Sequence, residues 1–146
     1  FKMATTGIVN GTDLFVSIDN TAGGAGTSFV KVTYATSASI SFNMETREAS
    51  SKDSAGFKEV LEGQRSLTID TEGMTALDAT FGYEELYAMW NNRVLVNLEF
   101  GTAETGDTVY QVKGYLTSLS ISSGVEDSST FSASFESTGS VTTATN

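Results

Sequence analysis

The sequence predicts a mainly β, antiparallel β-sandwich or barrel-like domain, with one flanking α-helix over 83–92 and a long loop over 46–63. Three observations carry that prediction. Apolar and polar residues alternate with a period of two in about seven segments, the pattern of half-buried strands. Only one segment, 83–92, carries large apolar residues at helical spacing. The strands follow one another without helices between them, so the rhythm of a parallel sheet is missing.

Residues 3–11 are polar and contain glycine, which predicts a flexible N-terminal arm over 1–11. Residues 12–19 alternate, with Leu14, Val16 and Ile18 inward and Asp13, Phe15, Ser17 and Asp19 outward. Residues 20–27 hold Gly23, Gly24 and Gly26 and predict a turn. Residues 28–35 form a second strand with Val30, Val32 and Tyr34 on one side. Residues 36–45 alternate most cleanly, with Ile40, Phe42 and Met44 opposed to Ser39, Ser41, Asn43 and Glu45.

The segment 46–63 is too long and too charged for a hairpin turn, and insertions of that length are commonly functional. Phe57, Val60 and Leu61 stand among its flexible residues, and a merely solvated loop has no need of them. Residues 65–72 resume the alternation, with Leu67 and Ile69 inward and Ser66, Thr68, Asp70 and Glu72 outward. Residues 73–82 are mixed, a short helical or irregular cover. In 83–92, Leu86, Met89 and Trp90 share a face, and Glu84 and Glu85 occupy the first turn, where the helix dipole favours acids. Trp90 and Tyr87 are expected in the core.

Residues 93–101 predict a strand with Val94, Val96, Leu98 and Phe100 on one face, and Leu95 suggests cover on the other. Residues 108–123 are long, and their apolar parity shifts, so Gly114 is expected at a bulge or bend. After an acidic turn, 128–138 alternates, with Phe131, Ala133 and Phe135 inward and Ser132, Ser134 and Glu136 outward. The Thr-rich stretch 139–146 is expected to be a flexible tail.

The 146 residues form one domain over 1–146. The chain holds no cysteine, histidine or proline. Disulfides, thiolate chemistry and the commonest general base and metal ligand are thereby excluded. A net charge of -10 argues against gripping nucleic acid, which needs a basic surface. No window is apolar enough to span a membrane. Asp70 and Glu72 share a strand face, a spacing open to a carboxylate pair, but acid rows on exposed strands are far commoner than active sites. Glu126 and Asp127 with Asp107 lack calcium-loop spacing, and 23–26 lacks the helix and lysine of a phosphate loop. No enzyme activity, metal or cofactor is expected.

Four segments carry a solvent-facing row: Ser39, Ser41, Asn43 and Glu45; Ser66, Thr68, Asp70 and Glu72; Ser118, Ser120 and Ser122; Ser132, Ser134 and Glu136. Side by side they would make a field of hydroxyls and acids with almost no cation, a surface that phosphates avoid.

The order of these features resembles the major tail protein, or tail tube protein, family of long-tailed non-contractile bacteriophages and related gene transfer agents. The resemblance rests on an alternating serine and acid strand, then Thr46, Ser51-Lys52-Asp53-Ser54, Gly56-Phe57, Glu59, Leu61 and Gly63, followed by Arg65-Ser66-Leu67-Thr68-Ile69. It continues in Gly114-Tyr115-Leu116-Thr117-Ser118-Leu119, the acidic turn at Glu126-Asp127, Phe131, Phe135 and Gly139. Family members often carry tryptophan where this chain has Phe57 and Leu67. The resemblance implies a structural virion subunit, assembled in the host cytoplasm, that forms stacked hexameric rings. It implies contacts with itself, with tape measure and with tail-terminator or tail-tip proteins, and DNA passing without specific binding.

On that reading Lys52, Asp53, Phe57, Lys58, Glu59, Val60 and Leu61 contact a neighbouring subunit. Ser39, Ser41, Asn43, Glu45, Ser66, Thr68, Asp70, Glu72, Ser132, Ser134 and Glu136 then line the lumen. The alternative is a monomeric binding or adhesin module, for which Tyr110 and Tyr115 are the best cleft aromatics.

Overall fold

The computed structural model describes residues 6–19, 29–32, 34–76 and 83–145. The glycine turn at 20–27, the first residues of the N-terminal arm and most of the mixed segment 73–82 lie outside the described residues. Among the described residues, seven antiparallel strands form a single sheet: β1 (Phe15–Asp19), β2 (Phe29–Lys31), β3 (Ala35–Glu48), β4 (Val60–Met74), β5 (Val96–Gly101), β6 (Thr108–Ser122) and β7 (Thr130–Thr145). The order across the sheet is β2-β1-β5-β6-β7-β4-β3. The α-helix of the described residues, α1 (Tyr83–Asn92), packs against β6.

The two edge strands, β2 and β3, are consecutive in the chain, with only residues 32–34 between them. That link spans about 14 Å at most, whereas seven strands laid flat cover roughly 29 Å. The sheet therefore rolls over on itself. It is not closed into a barrel, because β2 and β3 do not pair. The amide of Val32 donates to the Val16 carbonyl (3.3 Å), and the amide of Met74 donates to the Tyr34 carbonyl (3.0 Å), so the link is stitched to both sides.

Rolling brings the inner faces of all layers into one core. Val16 and Ile18, Leu67 and Ile69, Leu98 and Phe100, Val112 and Leu116, Phe131 and Phe135 form one contiguous cluster with Leu86 of the helix. The period-two assignments of inward residues hold in β4 and β7. In β1 the outward residues Ser17 and Asp19 are buried as well. β1 is therefore covered on both faces, which its own alternation does not reveal.

Several boundaries move. The ladder of β3 and β4 continues to Glu48↔Val60, so the loop shortens from 46–63 to 49–59, and Val60 and Leu61 belong to a strand. The expected flexible tail is instead strand: β7 runs to Thr145 and pairs with the start of β6. Threonine-rich chain satisfies its backbone by continuing an existing ladder. The strand expected at 93–101 starts only at Val96, and Val94 and Leu95 are exposed.

The helix has the expected span. It ends in a Schellman motif: the amide of Val94 donates to the Met89 carbonyl, and that of Arg93 to the Trp90 carbonyl, with Arg93 left-handed at φ 54. Leu86 is buried and Met89 packs on the core, but Trp90 and Tyr87 are 51% and 54% exposed. The expectation that they are core fails, because a helix leaning on one strand buries a narrower stripe than its apolar residues define.

Candidate functional site: a polar face and a projecting arm

Strand order decides whether the polar rows meet. β3, β4, β7 and β6 are consecutive neighbours. Ser39 lies opposite Asp70, Asp70 opposite Ser134, and Ser134 opposite Ser118. One row along, Ser41 faces Thr68 and Thr68 faces Glu136; on the other side, Glu72 faces Ser132 and Ser132 faces Ser120. The four segments therefore form one continuous outward face, with Ile40, Ile69, Phe135 and Leu116 registered on the reverse. Asp70 lies one row from Glu72 on its own strand and one row from Glu136 on β7, each within roughly 10 Å of it.

Two residues refine this face. Glu45 falls in the bulge between Met44 and Thr46 and has no registered partner, so it departs from the row. Gly63 makes the bulge possible, since a Cβ there would lie 2.5 Å from the Glu45 carbonyl oxygen. Lys113, which belongs to none of the alternating rows, points outward on β6 beside Tyr115, and Tyr115 is registered with Glu136. It brings one cation to the flank of the acidic field.

The second feature is an arm. β7 pairs with β4 only as far as Glu136↔Thr68. Beyond it β7 turns away at Gly139 (φ 82) and follows β6, with extra residues between Thr138 and Thr142. At the fork the Leu67 amide donates to the Ser137 hydroxyl at 3.0 Å. Past the fork, the ladder of β3 and β4 stands free for about 25 Å. Residues 41–48 and 60–66 are exposed or nearly so on both faces. The tip is built, not loose. The Ala49 amide donates to the Glu59 carbonyl, the Glu59 amide donates to the Ser50 hydroxyl (2.9 Å each), and Lys52–Ser54 form a 3-10 turn. Ala55 and Gly56 are left-handed and present Phe57, which is 77% exposed. At the arm's base Phe42 meets Tyr110 edge to face, with centroids 5.4 Å apart.

The rival arrangements do not assemble. Tyr110 shares the inner face with Phe100, its registered partner, while Tyr115 is outward, so the pair lines no common cleft. Asp107 precedes β6 and accepts a hydrogen bond from the Thr102 hydroxyl, whereas Glu126 and Asp127 come after the strand's far end. The described residues contain no group of three metal-ligating side chains. Among them no helix is long and apolar enough to cross a membrane.

A family model described as phage tail tube protein matches residues 8–143. The chain belongs to the phage tail tube protein family. This tail tube protein shares its fold with solved particle structures. One is the virion of a native gene transfer agent particle: TM-score 0.78, 21% identity, covering 94% of this chain and 99% of that one. Another is the tail of an empty gene transfer agent particle, refined with C6 symmetry: TM-score 0.80, 23% identity, with the same coverage. The SPP1 tail tube matches at TM-score 0.75 and 13% identity, covering 95% of this chain and 80% of that one. No curated protein matches the chain. The tail tube protein is thus a structural component of a virion tail.

Proposed function

We propose that this tail tube protein closes into hexameric rings that stack into a hollow tube, through which DNA passes during delivery. The observation that carries the reading is the acid and hydroxyl face, continuous over β3, β4, β7 and β6. Turned inward, this face lines the lumen with Ser39, Ser41, Asn43, Ser66, Thr68, Asp70, Glu72, Ser132, Ser134 and Glu136. Like charge keeps the phosphate backbone from adhering while it slides. Glu45, at the bulge midway along the arm's β3 strand, stands outside that row.

The arm supplies the subunit contacts. Phe57, Val60 and Leu61 are apolar side chains left 77%, 49% and 55% exposed, and Lys52, Asp53, Lys58 and Glu59 around them set register. The six-fold symmetry of the gene transfer agent tail supports the stoichiometry. Tape measure, tail-terminator and tail-tip proteins are the further partners of such a tube.

Negative-stain microscopy and sedimentation of the purified protein at rising concentration test the proposal. Six-fold rings or tubes are the expected outcome. A strict monomer at every concentration and salt would sink it.

A further inference from the structure

A chemically reactive pair of residues precedes β1. Asn10 is the chain's only asparagine followed by glycine. Asn10 and Gly11 are exposed, at the start of a short 3-10 turn over Gly11–Asp13. The Asn10 side-chain oxygen accepts the Thr12 amide at 3.3 Å. To reach an amide two residues on, the side chain folds back over the Gly11 peptide, which carries its Cγ towards the Gly11 nitrogen. The same hydrogen bond draws electron density off Cγ and makes it a better electrophile. Gly11 has no side chain to block the approach, and a Cβ built there meets nothing within 4 Å, so the surroundings are open. Asn10 stands extended at φ -74 and ψ 134, so ring closure needs a rotation about its Cα–C bond, which a following glycine permits. Other asparagines are placed differently. Asn43 and Asn97 are held in β3 and β5, and Asn91 and Asn92 close α1. The residues that follow them, Met44, Leu98, Asn92 and Arg93, carry side chains beside the nitrogen that would have to attack.

We propose that Asn10 is a site of spontaneous deamidation through a cyclic imide. The Gly11 backbone nitrogen gives up its proton to base and attacks Asn10 Cγ. The bond from Cγ to the side-chain nitrogen breaks, and that nitrogen takes up a proton and leaves as ammonia. Water then opens the imide at either carbonyl, so the net exchange is one water in and one ammonia out. Opening at one carbonyl leaves aspartate. Opening at the other leaves isoaspartate, whose main chain is longer by one carbon. Either product adds a negative charge to a chain already at -10. Aspartate keeps the side-chain acceptor for the Thr12 amide, whereas isoaspartate loses it. The site lies outside the core cluster, so a modified chain keeps its fold and differs in charge.

Purified full-length protein, aged in mildly alkaline buffer and followed by isoelectric focusing, is expected to gain an acidic band. Mass spectrometry of the tryptic peptide 3–31, fragmented to separate Asn10 from Asn20, is expected to place the change at position 10, with aspartate and isoaspartate both present. In mildly acidic buffer the band is expected to grow more slowly, since the attacking nitrogen must lose its proton. Gly11→Ala is expected to slow the change about tenfold, and Asn10→Gln to remove the acidic band. Both positions are exposed, so folding is not at issue. An Asn10 that survives as long as Asn43 and Asn97 overturns the proposal. So does a Gly11→Ala chain that ages at the wild-type rate, or aspartate formed at position 10 without isoaspartate.

Discussion

At the scale of single residues, close backbone approaches hold the roll together. Gly73 sits where the link from β2 to β3 passes over β4. A Cβ there would lie 2.7 Å from the Tyr34 carbonyl oxygen and 2.9 Å from the Phe131 ring. Neither neighbour can retreat, since Phe131 is core and the Tyr34 carbonyl accepts the Met74 amide. Gly73→Ala should therefore cost about 1–3 kcal/mol and lower the melting temperature by several degrees, read by circular dichroism. An unchanged melting curve would mean that the link is free to move. Nothing in the sequence marks this glycine, because its neighbour in space lies 39 positions earlier. The outward position of Lys113 is hidden from the sequence for a related reason: the parity of β6 is set by its pairing, and its own apolar spacing drifts.

At the scale of elements, the arm separates stability from assembly. Phe57 and Leu61 are exposed and lie outside the core cluster. The double variant Phe57→Ala with Leu61→Ala should change folding stability by less than about 0.5 kcal/mol per site while abolishing tube formation. Loss of folding in this variant would place the loop in the core. The sequence showed that the segment was unusual and that its apolar residues needed cover. It did not show that part of it is strand, because Val60 and Leu61 become strand only by pairing with Glu48 and Arg47. The helix teaches the complementary lesson. Its span follows from local spacing, whereas the exposure of Tyr87 and Trp90 follows from how little of the sheet it touches.

At the scale of the whole molecule, a rolled sheet presents one face to its core and the other to its surroundings. Four adjacent strands make the outer face acidic and hydroxylated over a continuous area. Ser41→Lys with Asp70→Lys places two cations in that field without touching the core, since both side chains point outward. Tubes should still form, and DNA delivery by the assembled particle should fall. Delivery that matches the wild type would remove the lumen assignment.

Taken alone, the sequence determined the β class, the helix, the inward residues of β4 and β7, and the rows of serines and acids. These are local properties: a strand repeats every two residues and a helix every 3.6, and a few neighbours in the chain suffice to express either. The tertiary structure alone decided which strands are neighbours. Adjacency merged four separate rows into one face, buried both sides of β1, and released the ladder of β3 and β4 from β7 at Ser137. Those outcomes depend on hydrogen bonds between residues tens of positions apart, which no local periodicity encodes.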